Sequence, residues 1–208
     1  MIGPLKACAR IRTEWVPHTP VLRVGYSPLF SDAWTRFADS GGASLITIEP
    51  ITAQNALVFK TVRLAALQNT PHAFGSTYAK ESQFDDAEWL RRVVRMNGEK
   101  GIGFLAMDGN HACGIVGAFL DVNDAKRAQL VSMWTAPTHR HQRVGRQLVD
   151  AIIGWARLRH ARAMLLMVTS NNQPAMRFYE RLGFTRTGRT EPYPNDPSVI
   201  EYEMSRAI

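Results

Sequence analysis

Short apolar runs alternate with helical spacing in the first half of the chain. The run 45–48 predicts a strand that ends at Pro50, and the pattern after Thr52 predicts a helix that ends before Pro71. The apolar positions of this helix are Leu57, Val58, Val62, Leu64, Ala65 and Leu67. A second helix is predicted over 85–96. Its apolar face comprises Trp89, Leu90, Val93 and Val94.

Three apolar runs come next. The runs 102–107 and 112–120 flank Asp108-Gly109, which favours a tight hairpin turn because glycine accepts a positive φ. The third run, 128–135, ends before Pro137. We therefore predict neighbouring antiparallel strands here.

The spacing becomes helical again over 143–160. The apolar stripe of this helix is Leu148, Val149, Ile152, Ile153, Trp155 and Ala156. A buried strand at 163–169 and a short helix at 174–182 follow, and then two strands at 184–187 and 198–204 with a proline-rich loop between them. This order predicts a single mixed α/β domain over 44–208, with antiparallel hairpins first and a crossover helix later.

Residues 1–43 differ from this domain. They are rich in turn-forming residues and show no sustained periodicity, so we predict an N-terminal extension, with one short helix over 31–38 that Ser31 caps. The total of 208 residues suits one domain better than two.

Composition excludes several classes of protein. The apolar share of 45% is that of a soluble globular protein, and no run approaches the ~20 apolar residues that span a bilayer. The first twelve residues lack the apolar centre of a secretory signal. Cys8 and Cys113 match no metal or redox spacing. We therefore expect a cytoplasmic protein with free thiols, no metal and no membrane partner.

The net charge of +7 is concentrated in the C-terminal half, where 139–162 holds six arginines and one acid. Such a patch favours a polyanionic partner, which could be nucleic acid, a membrane surface or a phosphorylated cofactor. Charge alone does not choose among these. The sequence also leaves the oligomeric state undecided, and a homodimer is compatible with it.

The segment 133–146 contains the first candidate site. A strand ends at Pro137, a polar loop follows, and an amphipathic helix begins directly from it. This arrangement points free N–H groups and the positive end of a helix dipole at one place, as phosphate sites do. Only Gly145 is present, so neither the dinucleotide fingerprint nor the lysine-containing P-loop is matched.

The segment 168–184 contains the second. A strand passes through an asparagine-rich loop into a short helix with Ala175, Phe178, Tyr179 and Leu182 on one side. A tyrosine at such a position usually serves core packing.

Together the two segments resemble the GCN5-related N-acetyltransferase (GNAT) family. Arg140 to Gly145, after Thr135-Ala136-Pro137, corresponds to that family's acetyl-CoA motif. Its next motif is matched by Asn172, Ala175, Phe178, Tyr179, Glu180, Gly183 and Phe184. The resemblance covers about four fifths of the chain and implies a mostly antiparallel mixed sheet, splayed between two central strands and flanked by helices.

The resemblance also implies an N-acetyltransferase with acetyl-CoA as co-substrate. It assigns to cofactor binding Met133, Trp134, Thr135, Arg140, His141, Gln142, Arg143, Val144, Gly145, Arg146, Gln147, Asn172, Ala175 and Phe178. Loop N–H groups from Gln142 to Gln147 would hold the pyrophosphate, and Tyr179 would act as general acid toward the departing thiolate. Arg143 departs from the family, which usually has glycine there. It can fit if its φ stays negative and its side chain turns outward, and it could then either add a charge-assisted contact to a phosphate or crowd the site. We expect acetyl-CoA binding to be retained, because Arg140, Gly145 and the second motif are intact.

The general base stays open, because the strand before the loop has no carboxylate. Asp121, Glu201 and Glu203 are candidates by residue type only, and a base acting through water is equally compatible. The acceptor would be a primary amine of a small molecule or peptide. Glu81, Asp85 and Asp86 suggest an acidic rim that would attract a cationic one.

Two other functions are weighed against the enzyme. A catalytically inactive CoA-binding sensor or interaction module of the same fold agrees with the missing carboxylate, although Tyr179 argues against it. A nucleic-acid-binding protein would use the arginine patch, but the patch lacks interleaved aromatic residues and a recognition motif, so we expect no nucleic-acid partner.

Overall fold

A computed structural model describes residues 45–208. Its strands are β1 (Ile46–Pro50), β2 (Asn97–Gly98), β3 (Gly101–Asp108), β4 (His111–Leu120), β5 (Arg127–Thr135), β6 (Ala163–Thr169), β7 (Thr185–Tyr193) and β8 (Asp196–Ala207). Its helices are α1 (Ala56–Asn69), α2 (Tyr78–Glu81), α3 (Asp86–Arg95), α4 (Val144–Leu158) and α5 (Gln173–Arg181). Short 3₁₀ turns occupy Ala53–Asn55, Pro71–Ala73 and Pro137–His139.

The strands form one sheet in the order β1-β3-β4-β5-β6-β8-β7, and β2 pairs with β3. Every pairing is antiparallel except that of β5 with β6. The predicted mixed α/β fold is confirmed. The Asp108-Gly109 hairpin is confirmed as well, and Gly109 has a φ of +55°.

The parallel pair β5 and β6 separates along its length. Only Arg127–Gln129 pair with Ala163–Leu165, although β5 continues to Thr135 and β6 to Thr169. The two strands therefore bound a cleft in the middle of the sheet, which is the expected splay.

Two apolar clusters cover the sheet. One gathers α4 and the inner face of α5, and the other gathers α1 and α3 with Leu105, Ile115 and Trp134. The predicted stripe of α1 is partly wrong. Leu57 is 71% exposed and Ala65 is exposed as well, whereas Ala56, Phe59 and Ala66 are buried; Val62 and Leu67 are buried as predicted. In α3 only Trp89 and Val93 are buried, since the helix lays a narrow face on the cluster and leaves Leu90 and Val94 exposed.

The C-terminal strands are longer than predicted. β7 and β8 extend through the proline-rich segment to a turn between Tyr193 and Asp196, so no long loop separates them. Pro192 lies in β7, which is the edge strand of the sheet, and Pro197 lies in β8 before the residues that pair with β6.

Some predictions lie outside the described residues: the extension 1–43, its helix at 31–38 and Cys8. Cys113 is a buried free thiol, and burial raises its pKa. Among residues 45–208 no helix has the length and apolar character needed to cross a membrane.

Candidate active site

The cleft between β5 and β6 brings together residues from five parts of the chain. β5 contributes 130–133, β6 contributes 166–169, and α5 with its cap contributes Asn172, Ala175 and Tyr179. Ala73 and Glu201 complete the lining. Of the residues predicted to bind the cofactor or to act as general acid, Met133, Asn172, Ala175 and Tyr179 line this cavity, and so does the candidate base Glu201.

The backbone of β5 is irregular where it borders the cleft. Its register with β4 shifts between Ile115 and Gly117, and Ser132 has a φ of +57°. The extra residue is a β-bulge, which turns the strand locally. Beyond Gln129 the edge of β5 that faces β6 has no strand partner, so an extended ligand could pair with it.

The loop between β5 and α4 exposes a row of backbone donors. The N–H groups from His141 to Arg146 make no hydrogen bond with other described residues. Arg143 is the N-cap residue of α4, and its side chain accepts no capping hydrogen bond. Gln147 is different, because its N–H donates to the Arg143 carbonyl at 3.1 Å. The expected contribution of the Gln147 backbone to a phosphate site is therefore wrong, while the donors before it remain available.

Arg143 has a φ of +64°, and His141 has a φ of +67°. The negative φ that the sequence analysis required for Arg143 is therefore not met. The loop keeps the left-handed conformation that a glycine would adopt there, and the arginine accepts the steric cost. Its side chain is exposed, as expected.

Several side chains brace this loop. His139 Nε2 lies 3.0 Å from Asp108 Oδ2, and Gln142 donates to the Thr138 carbonyl at 2.9 Å. Arg140 donates to the Thr135 carbonyl at 3.3 Å and to Asn69 Oδ1 at 2.9 Å, so its guanidinium joins β5 to α1.

The remaining predicted residues of this segment serve different purposes. Trp134 and Val144 are buried, and Trp134 Nε1 donates to the same Asn69 oxygen at 3.2 Å. Arg146 is exposed and pairs with Asp150. Val144 can therefore contribute only its backbone to a ligand.

Helix α5 is fixed at both ends by hydrogen bonds that explain its sequence motif. Asn172 Oδ1 accepts from the Ala175 N–H at 3.2 Å, which caps the first turn. At the other end the Gly183 N–H donates to the Glu180 carbonyl and the Phe184 N–H to the Tyr179 carbonyl. This is a Schellman ending, which requires the φ of +82° found at Gly183.

Tyr179 is held in place by this ending. The Phe184 ring lies 5.7 Å from the Tyr179 ring and the Phe178 ring 5.2 Å from it, both edge to face. Tyr179 is only 7% exposed, and burial raises the pKa of its hydroxyl well above the ordinary value. The phenol is therefore neutral at physiological pH and available as a proton donor.

The three carboxylates predicted by residue type have different surroundings. Asp121 accepts from the N–H groups of Asn123 and Asp124 and so stabilises a turn. Glu203 accepts from Thr187 at 2.8 Å and pairs with Arg189 at 3.4 Å. Only Glu201 lines the cleft with Tyr179.

The predicted acidic rim is wrong. Glu81 is fully buried between Arg63, at 2.8 Å, and Arg92, at 3.0 Å. Asp85 caps α3 through the Glu88 N–H, and Asp86 pairs with Lys60. An acidic local composition does not show whether the acids are exposed, and here Arg63 and Arg92 neutralise Glu81 in the interior.

Sequence reasoning missed other residues around the cleft. The side-chain oxygen of Asn69, at the end of α1, accepts hydrogen bonds from both Trp134 and Arg140. Ala73 forms part of the wall of the cleft. Asn69 lies two residues before Pro71, where a polar residue is ordinary at the end of a helix, and no local pattern indicates its long-range partners. The bulge at Ser132 could not be predicted from the sequence either, since serine has no preference for positive φ.

Comparisons with known proteins agree with this geometry. The model of the acetyltransferase (GNAT) family matches residues 63–184, more than half of the chain. No curated protein matches.

Solved structures show the same fold. A GNAT acetyltransferase from Streptococcus pneumoniae is 18% identical with a TM-score of 0.64, over 79% of this chain and 100% of its own. The PaiA N-acetyltransferase from Thermoplasma acidophilum, solved in complex with coenzyme A, is 15% identical with a TM-score of 0.60, over 79% and 99%. A GCN5-related N-acetyltransferase from Kribbella flavida is 20% identical with a TM-score of 0.59, over 78% and 98%. At these identities the structures support the fold, and the family model adds the sequence relationship: this chain belongs to the GNAT family of acetyltransferases.

Proposed function

We propose that the protein transfers an acetyl group from acetyl-CoA to a primary amine, with Tyr179 as general acid. The observation that carries the proposal is the combination of a splayed cleft with a row of unengaged N–H groups at one helix start. The first suits an extended amide-bearing arm and the second suits a pyrophosphate. The complex of the PaiA N-acetyltransferase with coenzyme A supports this choice of co-substrate.

The residues of the site divide the work. The N–H groups from His141 to Arg146 would bind the pyrophosphate, and the free edge of β5 at Met133 to Thr135 would bind the pantetheine amides. Arginines of the loop add charge that the phosphates would balance. A β5 N–H near the bulge would stabilise the oxyanion that develops on the thioester carbonyl.

Tyr179 completes the reaction. The amine nitrogen forms a bond to the carbonyl carbon, the carbon–sulfur bond breaks, and the Tyr179 hydroxyl gives its proton to the departing thiolate. The raised pKa of this buried hydroxyl keeps the proton in place until sulfur leaves.

Titration calorimetry with acetyl-CoA at two salt concentrations tests the first half of this proposal. We expect saturable micromolar binding, and an amine panel followed by CoA release then tests transfer. Absence of binding would overturn the proposed function.

The alternative is an inactive CoA-binding module of the same fold. It would bind acetyl-CoA in the same titration and release no CoA with any amine. Tyr179, lining the cleft with its hydroxyl protonated, favours the enzyme over this module.

A further inference from the structure

We propose that Glu201 binds the ammonium group of the acceptor and takes its proton, which makes the substrate class a basic primary alkylamine. This inference rests on the proposed function and adds the missing base to it. The observation behind it is the position of one carboxylate in the cleft that already holds the general acid.

Glu201 stands where β6, β7 and β8 meet. On the sheet it lies opposite Thr169, the last residue of β6, and opposite Glu191 of β7. Residues directly opposite each other in an antiparallel pair point to the same face. Thr169 and Ala73 line the same cavity, and the Thr169 hydroxyl donates to the His72 carbonyl at 3.3 Å, so the 3₁₀ turn Pro71–Ala73 closes this end of the cleft.

This wall of the cleft is rigid. Tyr193 in the β7–β8 hairpin donates through its hydroxyl to the Phe74 carbonyl at 2.8 Å, and Asn195 donates to the same oxygen at 2.8 Å. The segment that follows the 3₁₀ turn is thereby fixed against the β7–β8 hairpin. The hydrogen bonds hold the wall of the cleft in place opposite Glu201, so a ligand between the two would be held in a defined position.

The carboxylate of Glu201 has no hydrogen bond and no ion pair within the described part of the chain. Its neighbours contrast with it, because Glu203 and Glu191 both pair with Arg189. A half-buried carboxylate without a cation is unfavourable, and such groups concentrate where a ligand supplies the partner. An alkylammonium group is the partner that fits both its charge and its hydrogen-bonding capacity.

The electrostatic surroundings also suit a base. Burial, and then the negative charge of Glu191, raise the pKa of Glu201. The titratable groups on the elements around it are Glu191 with its partner Arg189 on β7, Glu203 on β8, the neutral Tyr179 on α5 and His72 in the turn. A carboxylate with a raised pKa is a better match for a proton-transfer step near neutral pH than an ordinary one.

The protons balance as follows. The acceptor enters as R–NH₃⁺ and gives one proton to the Glu201 carboxylate, which releases it to water. The neutral amine attacks the thioester carbonyl carbon, and the thiolate leaves with the proton of Tyr179. The nitrogen gives up its second proton, which restores the Tyr179 hydroxyl, so the products are the amide, CoA thiol and one proton in solution.

The test compares the full chain with Glu201→Gln, which keeps the shape and removes the charge and basicity. The acceptors are 1,5-diaminopentane and propylamine, which are ammonium ions at neutral pH, and 2,2,2-trifluoroethylamine, which is largely unprotonated there. We expect a loss of about 10²-fold in kcat/KM for the first two and much less for the third. Raising the pH should restore part of the lost rate for the basic amines.

Two control variants sharpen the reading. Glu49→Gln removes a carboxylate from β1, at the far edge of the sheet, and should leave kcat/KM unchanged. Glu191→Gln should move the rising limb of the wild-type pH profile to lower pH, because it removes a charge that raises the pKa of Glu201. Melting temperatures of all variants separate these effects from loss of folding.

The outcomes are distinguishable. Equal losses of rate for basic and weakly basic amines, or no loss, would overturn the role of Glu201 and leave the proposed function in place. A wild-type chain that binds acetyl-CoA and releases no CoA with any of the three amines would overturn both the amine class and Glu201. A wild-type chain that binds no acetyl-CoA would overturn the proposed function itself.

Discussion

Gly145 packs against the ring of Phe178 so closely that a β-carbon on the glycine would lie 3.1 Å from Cζ of the phenylalanine. The same β-carbon would lie 3.1 Å from Cε of Met133. Gly145 belongs to the loop motif and Phe178 to the α5 motif, so the two sequence motifs meet at this contact. Because position 145 has no side chain, the start of α4 approaches α5 and β5 this closely without displacing the Met133 and Phe178 side chains.

Substitution of Gly145 by alanine should therefore separate these elements. We expect Gly145→Ala to cost about 1–3 kcal/mol of stability, as overpacking does, and to weaken acetyl-CoA binding at least tenfold because the donor row moves with α4. Thermal melting and titration calorimetry measure the two effects. Gly98→Ala is the matched control, since the nearest atom to its β-carbon is 3.5 Å away. Unchanged affinity in Gly145→Ala would mean that the loop does not depend on this contact.

The hydroxyl of Tyr179 should matter for turnover and little for binding. We expect Tyr179→Phe to lower kcat by about 10²-fold or more while the Kd for acetyl-CoA stays within a few-fold, because the ring contacts remain and only the proton donor is lost. Single-turnover kinetics with calorimetry check this.

Tyr202 provides the matched control for this change. It is the neighbour of Glu201 in β8, lies opposite Val168 and packs against the same apolar cluster as Tyr179, but it is not one of the residues that line the cleft. Tyr202→Phe should leave kcat unchanged. An equal rate for Tyr179→Phe and wild type, with chemistry limiting, would remove the tyrosine from the mechanism.

The positive φ of Arg143 gives a separable prediction for stability and binding. Arg143→Gly relieves a left-handed backbone at a non-glycine residue, a strain of about 1 kcal/mol, and also removes a charge near the phosphate site. Arg143→Ala removes the same charge and keeps the strain. We expect the glycine variant to be more stable than the alanine variant, and both to bind acetyl-CoA within tenfold of wild type.

The affinity of Arg143→Gly, compared with that of the wild type, also tests whether the arginine side chain crowds the phosphate site. A gain of tenfold or more in affinity for Arg143→Gly over wild type would show that the arginine obstructs the site.

Much of the fold could be predicted from the sequence because local patterns decide it. The β6 bounds and the β3–β4 hairpin follow from an uninterrupted apolar run and from a glycine with positive φ. The α5 motif is predictable for the same reason, since Asn172 and Gly183 act within the helix they cap. The β7–β8 hairpin was predicted too short because prolines argue against strands, and an edge position cancels that objection.

The cleft is less predictable because long-range contacts make it. Asn69 meets Trp134 and Arg140 across about one third of the chain, and Ala73 reaches the cavity through the hydrogen bond from Thr169 to His72. Nothing in the spacing near Asn69 indicates these partners. Glu201 could be named by residue type, but only the tertiary structure distinguishes it from Glu203, because Glu201 lines the cavity whereas the side chain of Glu203 pairs with Arg189.

The ion pairs of the buried Glu81 with Arg63 and Arg92 lead to a prediction about stability and its pH dependence. Burial by itself would raise the pKa of Glu81, but the hydrogen bonds and charge of Arg63, followed by the charge of Arg92, hold it below the ordinary value. Arg63 also lies over the Phe74 ring and donates to the Ser132 hydroxyl at 3.4 Å, so the network reaches the bulge of β5. Loss of Glu81 should leave the buried Arg63 without a carboxylate partner, whereas Arg92 keeps Glu88.

We expect Glu81→Ala to cost about 3–5 kcal/mol, the magnitude found when one partner of a buried ion pair is removed. Because the folded pKa is depressed, the stabilisation from Glu81 is complete above its unfolded pKa and is lost as the pH falls through the folded one. Wild-type stability should therefore fall steeply in acid, and Glu81→Gln should show a lower stability at neutral pH with a flatter acid dependence. Urea unfolding between pH 3 and pH 7 measures both slopes. Glu88→Gln, which removes a more exposed partner of Arg91 and Arg92, should change the acid slope less. Parallel curves for wild type and Glu81→Gln would mean that the pKa of Glu81 is the same in the folded and unfolded protein, so that the two arginines do not lower it.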